Sequence, residues 1–302
     1  MISLPTGNAQ AREPVRVQPA VEIGRRSIRR LVRGDPDAHR HLGWIPPLEW
    51  LGREPFLALS EGRRLRAVLA CPPDEEGRIW LRLFAVDQDV DTWEAWEQLW
   101  GAAVKELRDM IHDDEDIQAV NVLVLRGWLE GVLRRSGFEQ INAVVVLDWD
   151  AASGKLPEGI PLVQIRPLVQ EDLEDVYRID SVSFGPVWRH TRNQLRHALQ
   201  EAEVVTGAVD DEGKLLGYQI STSGTLGGHL ARLAVWPETR GRGIGKALVA
   251  DLLDRFQRRG HVRVTVNTQE DNAASLEIYR QFGFVRQEPA YPVYSFRLGA
   301  RE

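Results

Sequence analysis

The sequence has few of the features that mark secreted, membrane-spanning or metal-binding proteins. Its 302 residues include one cysteine, Cys71, so no disulfide can form within the chain, and no second Cys or His stands beside it at metal-ligand spacing. No run of about 18 apolar residues occurs, and residues 1–19 lack the apolar core of a signal peptide. We therefore expect a cytoplasmic protein with no membrane partner and no metal.

The chain also lacks an excess of positive charge. Lysine and arginine number 38 against 44 aspartates and glutamates, which gives a formal net charge of -6. Nucleic-acid binding needs a concentrated basic face, so we expect no nucleic-acid partner. Hydrophobic residues make up 43% of the chain, which is enough for a substantial core, and the length suits two domains of about 150 residues each.

Shifts in composition divide the chain into two halves. Residues 1–20 mix Pro, Gly, Gln and Arg without periodicity, which predicts a flexible N-terminus. Small, Gly and Pro residues at 151–160 separate two apolar runs and predict a linker. The predicted domains are therefore residues 21–150 and residues 161–302.

The second half alternates strand-like and helix-like segments. Alternating or continuous apolar residues predict strands at 163–166, 204–209, 215–223, 230–235, 262–266, near 285 and at 293–298. Apolar residues at helical spacing predict helices at 171–180, 244–260 and 272–282. This succession predicts a mixed α/β architecture around a central sheet.

The segment from Leu233 to Lys246 joins a strand to a helix through a Pro turn and a Gly-rich loop. The loop contains three glycines and three basic residues, which are Arg240, Gly241, Arg242, Gly243, Gly245 and Lys246. Glycines let the main chain approach a ligand closely, and the first N–H groups of a helix have no intrahelical partner. The segment therefore predicts a site for the pyrophosphate of a nucleotide-like cofactor.

Two common phosphate-binding motifs do not fit this loop. A Walker loop needs a glycine where Arg240 stands and a hydroxyl residue where Ala247 follows Lys246. A dinucleotide fingerprint would need a glycine at position 246 itself. ATP, GTP and NAD are therefore disfavoured.

The loop resembles the acyl-CoA-binding motif of the GCN5-related N-acetyltransferases (GNAT). That motif reads Arg-x-x-Gly-x-Gly, present here at 240–245 and preceded by Leu-x-Val-x-Pro from Leu233. A second segment resembles the family's downstream Asn-x-x-Ala/Ser-x-x-x-Tyr-x-x-x-Gly-Phe signature, with Asn272, Ser275, Tyr279 and Gly283-Phe284 after Asn267. The resemblance covers residues 162–297 approximately.

The resemblance implies acetyl-CoA as co-substrate and a mixed, mostly antiparallel central sheet flanked by helices. It implies that direct attack of an amine on the thioester occurs without a covalent enzyme intermediate. The predicted acetyl-CoA contacts are Leu233, Ala234, Val235, Arg240, Gly241, Arg242, Gly243, Ile244, Gly245, Lys246, Asn267, Asn272, Ser275 and Tyr279. The splayed strand at Leu233 and Val235 would hold the pantetheine and polarise the thioester through its N–H groups.

Two residues are predicted to transfer protons. The resemblance implies that Tyr279 protonates the departing CoA thiolate, although the same tyrosine could simply be packed in the core. His229 is a candidate general base because histidine titrates near neutrality, and the alternative is an ordinary turn residue. Glu203 and Glu238 are weaker candidates for the base.

The first half contains a degenerate copy of the second. Leu83–Val86 matches Leu233–Val235, and residues 128–138 match residues 276–284. In this alignment Asp91 and Trp96 stand where Arg240 and Gly245 stand in the second half, so acids and bulky side chains would occupy the phosphate space. We predict a tandem GNAT protein whose first domain is non-catalytic.

Several questions stay open from the sequence. The acceptor is predicted to be a primary amine of a small molecule or of a peptide, without further identity, and the chain could be a monomer or a homodimer. The alternative to an acetyltransferase is a CoA-binding sensor without turnover. A tryptophan cluster at 93, 96 and 100 either packs in the core or forms an aromatic wall for the acceptor.

Overall fold

The computed structural model describes residues 14–35, 37–110, 118–154, 157–225 and 227–299. The first half contains strands β1 (Val15–Pro19), β2 (His39–Arg40), β3 (Phe56–Glu61), β4 (Arg64–Ala70), β5 (Ile79–Trp80), β6 (Leu83–Val86), β7 (Ala119–Leu123) and β8 (Glu139–Asp150). Its helices are α1 (Arg25–Gly34), α2 (Thr92–Met110) and α3 (Trp128–Arg135).

The second half has its own series of strands and helices. The strands are β9 (Gln164–Pro167), β10 (Val204–Val209), β11 (Leu215–Gly224), β12 (Gly227–Val235), β13 (Arg263–Gln269) and β14 (Val285–Arg297). The helices are α4 (Leu173–Ser183), α5 (Arg192–Glu201), α6 (Ile244–Arg258) and α7 (Ala273–Gln281). The predicted mixed α/β class with helices flanking sheets is confirmed. None of the helices in the described ranges is long and apolar enough to cross a membrane.

The prediction of an irregular segment over residues 1–20 is wrong for Val15–Pro19. This segment is an edge strand that pairs antiparallel with β3, from Val15 opposite Glu61 to Pro19 opposite Leu57. Two valines alternate with Arg16 and Gln18, which is the period of a strand. This alternation covers only four residues and is surrounded by polar ones, so it is a weak signal in the sequence. Residues 1–13 lie outside the described residues.

The element order supports a repeat within the chain. The first half runs β6-α2-β7-α3-β8, and the second half runs β12-α6-β13-α7-β14. The stretches that match in sequence occupy the same places in the two series, since 83–86 forms β6 and 128–135 forms α3. In the first copy Trp96 lies fully buried in α2, so a side chain fills the space that Gly245 leaves in the second copy.

The two halves share one sheet. Nine strands lie in the order β5-β7-β14-β8-β13-β12-β11-β10-β9, and five more form a separate sheet, β1-β3-β4-β6-β2. Strand β14 from the second half lies between β7 and β8 of the first, and β8 lies between β14 and β13. The predicted boundary at 151–160 separates the repeats along the chain but not in space. Apolar alternation predicts a strand without saying which strand it pairs with.

The aromatic cluster of α2 belongs to the core. Trp96 and Trp100 are buried, their rings stack 5.4 Å apart, and Trp96 donates to the Ser136 hydroxyl at 2.7 Å. They pack with Phe138 and with Phe296 from β14. The interpretation of these tryptophans as core residues is therefore correct. Other tryptophans face the site described below.

Candidate functional site

The centre of the shared sheet opens between β12 and β13. These parallel strands pair only at Gly228 with Val264, His229 with Thr265 and Leu230 with Val266. Beyond those pairs β12 continues along β11, whereas β13 continues along β8. The pairing of β11 with β12 shifts register at Ala231, which is a β-bulge that bends the strand away. The result is a wedge-shaped opening in the sheet.

The main chain of β12 presents donors to this opening. Trp236 donates its N–H to Leu216 of β11 at 2.9 Å, and N–H groups alternate between the two sides of a strand. The N–H groups of Leu233 and Val235 therefore point away from β11, towards the opening. Ala234 lies between them, and by the same alternation its N–H points towards β11 and away from the opening, while its side chain packs in the core with α4 and α5.

The Gly-rich loop leads from β12 into α6. Gly241 and Gly243 have φ of 78° and 79°, which side chains rarely adopt, and Gly243 is the N-cap of α6. A Cβ at Gly243 would lie 2.8 Å from Pro161 Cδ, and one at Gly245 would lie 3.0 Å from Ile278 Cδ1 on α7. Backbone conformation and close packing thus both require glycine in this loop.

The cations of the loop remain available for an anion. Among the described residues, Arg240, Arg242 and Lys246 form no ion pair with a carboxylate, and Arg240 only approaches the main-chain oxygens of Val235 and Ser183 at 3.4 Å. The first turn of α6 contains no acidic residue. The side chain of Ile244 is buried, so only its main chain can contact a ligand. Free N–H groups and positive charge together favour a phosphate group here.

A cavity of about 460 Å³ lies beneath the opening. It brings together six of the predicted residues from β12, β13 and α7: His229, Leu233, Asn267, Asn272, Ser275 and Tyr279. The loop residues 240–246 do not line it and lie at the N-terminus of α6 instead. Within the described residues, no group of three or more His, Cys, Asp or Glu is arranged to hold a metal ion.

Tyr279 is a suitable proton donor. Its ring is buried against Phe284, and burial raises the pKa of its hydroxyl well above the usual value of a tyrosine, while a hydrogen bond with Ser275 partly offsets that rise. The phenol therefore carries its proton at neutral pH. Asn272, two turns before Tyr279, is the N-cap of α7 and accepts from the Ser275 N–H at 3.2 Å. That cap fixes the start of the helix that carries Tyr279.

His229 lies inside β12, so its interpretation as a turn residue is wrong. Its Nδ1 lies 2.8 Å from the hydroxyl oxygen of Thr265, and that hydroxyl donates to the Gly228 carbonyl at 3.4 Å. In the tautomer consistent with that donation, Nδ1 carries the hydrogen and Nε2 is a proton acceptor. Burial lowers the pKa of His229, so the ring is neutral at physiological pH.

The two glutamates proposed as weaker bases lie outside the cavity. Glu203 pairs with Arg259 at 3.4 Å, approaches His261 at 3.7 Å and accepts from the Ser223 hydroxyl. Glu238 belongs to the short 3-10 turn Pro237–Thr239 before the loop. Neither lines the cavity. His229 remains the base candidate.

The sequence interpretation missed a buried ion pair at the cavity wall. Arg232 of β12 donates to both carboxylate oxygens of Asp180 at 2.7 and 2.8 Å, and Tyr218 donates to the same carboxylate at 2.5 Å. Arg232 also donates to the carbonyl of Trp188, and Asp180 accepts from the N–H of His190. The pair thereby fixes the segment before α5 against β12. Arg232 alternates with apolar residues, which is the pattern of a solvent-facing strand residue.

Comparison with known proteins agrees with this geometry. The model of the acetyltransferase (GNAT) family matches residues 173–284. N-alpha-acetyltransferase 30 of Schizosaccharomyces pombe is 37% identical over 138 residues, which cover 44% of this chain and 91% of that protein. The chain belongs to the GNAT family, and it is an acyltransferase.

Other relatives differ in extent. A mycothiol acetyltransferase of Saccharopolyspora erythraea is 29% identical over 154 residues, which cover 46% of this chain and 48% of that protein. A tandem GNAT protein from the clavulanic acid biosynthesis pathway has a similar fold, with a TM-score of 0.62, 17% identity and coverage of 96% of this chain and 100% of that one. A GCN5-related N-acetyltransferase from Sphaerobacter thermophilus gives a TM-score of 0.62 at 18% identity, covering 94% and 95% of the two chains. The predicted tandem GNAT type is confirmed.

Proposed function

We propose that this protein transfers the acetyl group of acetyl-CoA to an amine, which belongs to a small molecule or a peptide. The observation that carries the proposal is the opening between β12 and β13, with a protonated Tyr279 and a neutral His229 in the cavity beneath it. An opening with free main-chain donors suits an extended amide chain such as pantetheine. The relatives named N-alpha-acetyltransferase and mycothiol acetyltransferase support the same class of reaction.

The proposed binding mode divides acetyl-CoA between the loop and the opening. The pyrophosphate would contact the N–H groups at the start of α6 together with Arg240, Arg242 and Lys246. The N–H groups of Leu233 and Val235 would hold the pantetheine, and one of them would polarise the thioester carbonyl. Asn267 and Ser275, which line the cavity, would contact the same substrate.

The transfer itself needs two proton movements. The lone pair of a neutral amine attacks the carbonyl carbon, so that a C–N bond forms and the C–S bond then breaks. The leaving thiolate takes its proton from the Tyr279 hydroxyl, and the Nε2 atom of His229 accepts the proton that the amine loses. No covalent bond to the enzyme forms at any step.

Replacement of Tyr279 by Phe tests the acid role. We expect Tyr279→Phe to lower turnover by about tenfold or more, with nearly unchanged affinity for acetyl-CoA, because the ring packing stays and only the hydroxyl is lost. The measurement is release of free thiol from acetyl-CoA across a panel of amines, peptides, aminoglycosides and polyamines, with calorimetric binding alongside.

Tyr177→Phe is the matched control, since Tyr177 in α4 contacts Glu76 outside the cavity. Its turnover should equal that of the original protein. Equal turnover in Tyr279→Phe would remove the acid assignment. Binding of acetyl-CoA without thiol release from any acceptor would instead support the alternative of a CoA sensor.

A further inference from the structure

Part of the cavity wall comes from the first half of the chain. His41, Trp44, Trp80 and Arg82 all line the cavity beside the residues of β12 and α7. The ring of Trp80 lies 4.8 Å from that of His41 and 5.8 Å from that of Trp188, so the aromatic wall spans both halves. The first half therefore reaches the place where an acceptor must bind.

Arg82 is the unusual member of this wall. Its side chain is buried, with 3% of the residue exposed, and its Nε and Nη2 atoms have no hydrogen-bond partner among the described residues. Its guanidinium lies over the ring of Trp50, 4.3 Å from the centroid. Burial lowers the pKa of Arg82 to about 10, so the group is still charged at neutral pH.

The nearby carboxylate of Asp74 attracts the Arg82 charge and raises its pKa, but it forms neither a hydrogen bond nor an ion pair with Arg82. Asp74 pairs with Arg78, whose Nε lies 3.1 Å away, and accepts the backbone N–H groups of Glu76 and Arg78 at 3.0 Å. Arg232 lies in the same wall and is also almost completely buried, but it is held by both oxygens of Asp180. Buried charged groups in proteins are normally paired. Arg82 therefore lines the cavity with two donors that no described residue satisfies.

Resting on the proposed acetyl transfer, we propose that Arg82 binds a carboxylate of the acceptor, so that the substrate class is amines that also carry a carboxylate. The planar guanidinium donates two parallel hydrogen bonds, which match the two oxygens of a carboxylate. The buried Nδ1 of His41, also without a partner among the described residues, offers a further polar contact in the same wall. The tryptophans cover the apolar part of such a substrate.

The test compares amines with and without the acid group. Acceptors are ω-amino acids from glycine to 6-aminohexanoate, each paired with the alkylamine of equal length, and thiol release gives kcat/KM for each. We expect the best carboxylate member to exceed its alkylamine by at least tenfold. In Arg82→Met, which keeps an apolar stem over Trp50, that ratio should fall towards one.

Arg53→Met is the matched control. Arg53 lies over the same Trp50 ring at 5.1 Å, but it is half-exposed, pairs with Glu75 and does not line the cavity. This variant should keep the original ratio. An unchanged ratio in Arg82→Met, or a ratio near one in the original protein, would overturn the proposal. A preference for 2-aminoethyl phosphate over every carboxylate would also overturn it, because Arg82 would then recognise a phosphate group.

A second measurement separates Arg82 from the folding of the protein. An unpaired buried charge does not stabilise the fold, so Arg82→Met should melt at the same temperature as the original protein or higher. Arg232→Met leaves the buried Asp180 carboxylate without its ion-pair partner, so this variant should melt at a lower temperature than the original protein. A large drop in the melting temperature of Arg82→Met would show a structural role for Arg82 and overturn the proposal.

A third measurement separates this proposal from the acetyl transfer itself. If the original protein releases thiol no faster than Tyr279→Phe with any acceptor, the transfer proposal fails. The role of Arg82 is then tested by calorimetric binding of 6-acetamidohexanoate to the original protein and to Arg82→Met. Binding that weakens at least tenfold in Arg82→Met supports the carboxylate site. Equal binding in both proteins, or no binding to the original protein, overturns it.

Discussion

At the scale of single residues, burial favours the uncharged forms of the two groups that are proposed to move protons. Desolvation disfavours a charged form, so it raises the pKa of the Tyr279 phenol and lowers the pKa of the His229 imidazolium. Each group is thereby held in the form that its proposed role requires, an acid with its proton and a base without one. Both effects follow from one cavity.

The pH dependence of turnover should report His229. Its pKa lies below the ordinary 6.5 of histidine, so the neutral form persists below that pH. When kcat/KM is calculated for the concentration of neutral amine, it should fall only as the pH drops through the lowered value. His229→Gln should lose about a hundredfold in kcat/KM and lose this acidic limb. The measurement is thiol release against pH with one fixed amine.

His197→Gln supplies the comparison, because His197 lies in α5 and does not line the cavity. Its profile should match that of the original protein. A His229→Gln profile that keeps the same acidic limb would assign that limb to another group. His190 and His41 would then be examined first, since both line the cavity and burial lowers the pKa of each.

The sequence was sufficient to predict site residues that lie within one motif, but not site residues that are distant in the chain. Tyr279, Asn272 and Ser275 lie within two turns of one helix, so their common face follows from helical spacing. Arg82 reaches the cavity from the link between β5 and β6 in the first half, and its missing partner is a property of three-dimensional packing. No local pattern distinguishes it from an ordinary surface arginine.

At the scale of secondary structure, the junction of β12 and α6 combines three requirements. The chain must leave the sheet after Val235, turn with positive φ at Gly241 and Gly243, and start a helix whose first N–H groups stay free. The composition of the loop predicts the turn and the helix start. The opening beside it depends on where β13 finds β8, which composition does not encode.

Two substitutions at Gly243 separate charge from shape. Asp and Asn are nearly equal in size, and both would meet Pro161 and strain the backbone, but only Asp adds negative charge beside the proposed pyrophosphate site. We expect Gly243→Asp to bind acetyl-CoA at least tenfold more weakly than Gly243→Asn, a difference of about 1.4 kcal/mol, and binding is measured by calorimetry. Undiminished affinity in both variants would place the pyrophosphate elsewhere.

At the scale of the whole molecule, the exchanged strands join the halves into one structure. Among the described residues, strand β8 pairs with β13 and β14 alone, and β14 pairs with β7 and β8 alone, so each lies among strands of the other half. The core follows the same exchange, since Val145, Leu147 and Trp149 of β8 pack with Phe256 of α6. Separate unfolding of either half would expose both strands.

This arrangement predicts that a cavity in the second half destabilises the first. Phe256 is fully buried, so Phe256→Ala should lower the free energy of unfolding by about 3–5 kcal/mol. Eight of the ten tryptophans belong to the first half, so fluorescence reports mainly its unfolding, with a contribution from Trp149 beside Phe256. Hydrogen exchange in β10 and β11 reports the second half. Both unfolding transitions should shift together to lower denaturant concentrations.

Val262→Ala is the control, because this residue is 66% exposed, and it should leave both transitions unchanged. A fluorescence transition that stays in place while β10 and β11 lose protection would mean that the halves unfold independently despite the shared sheet.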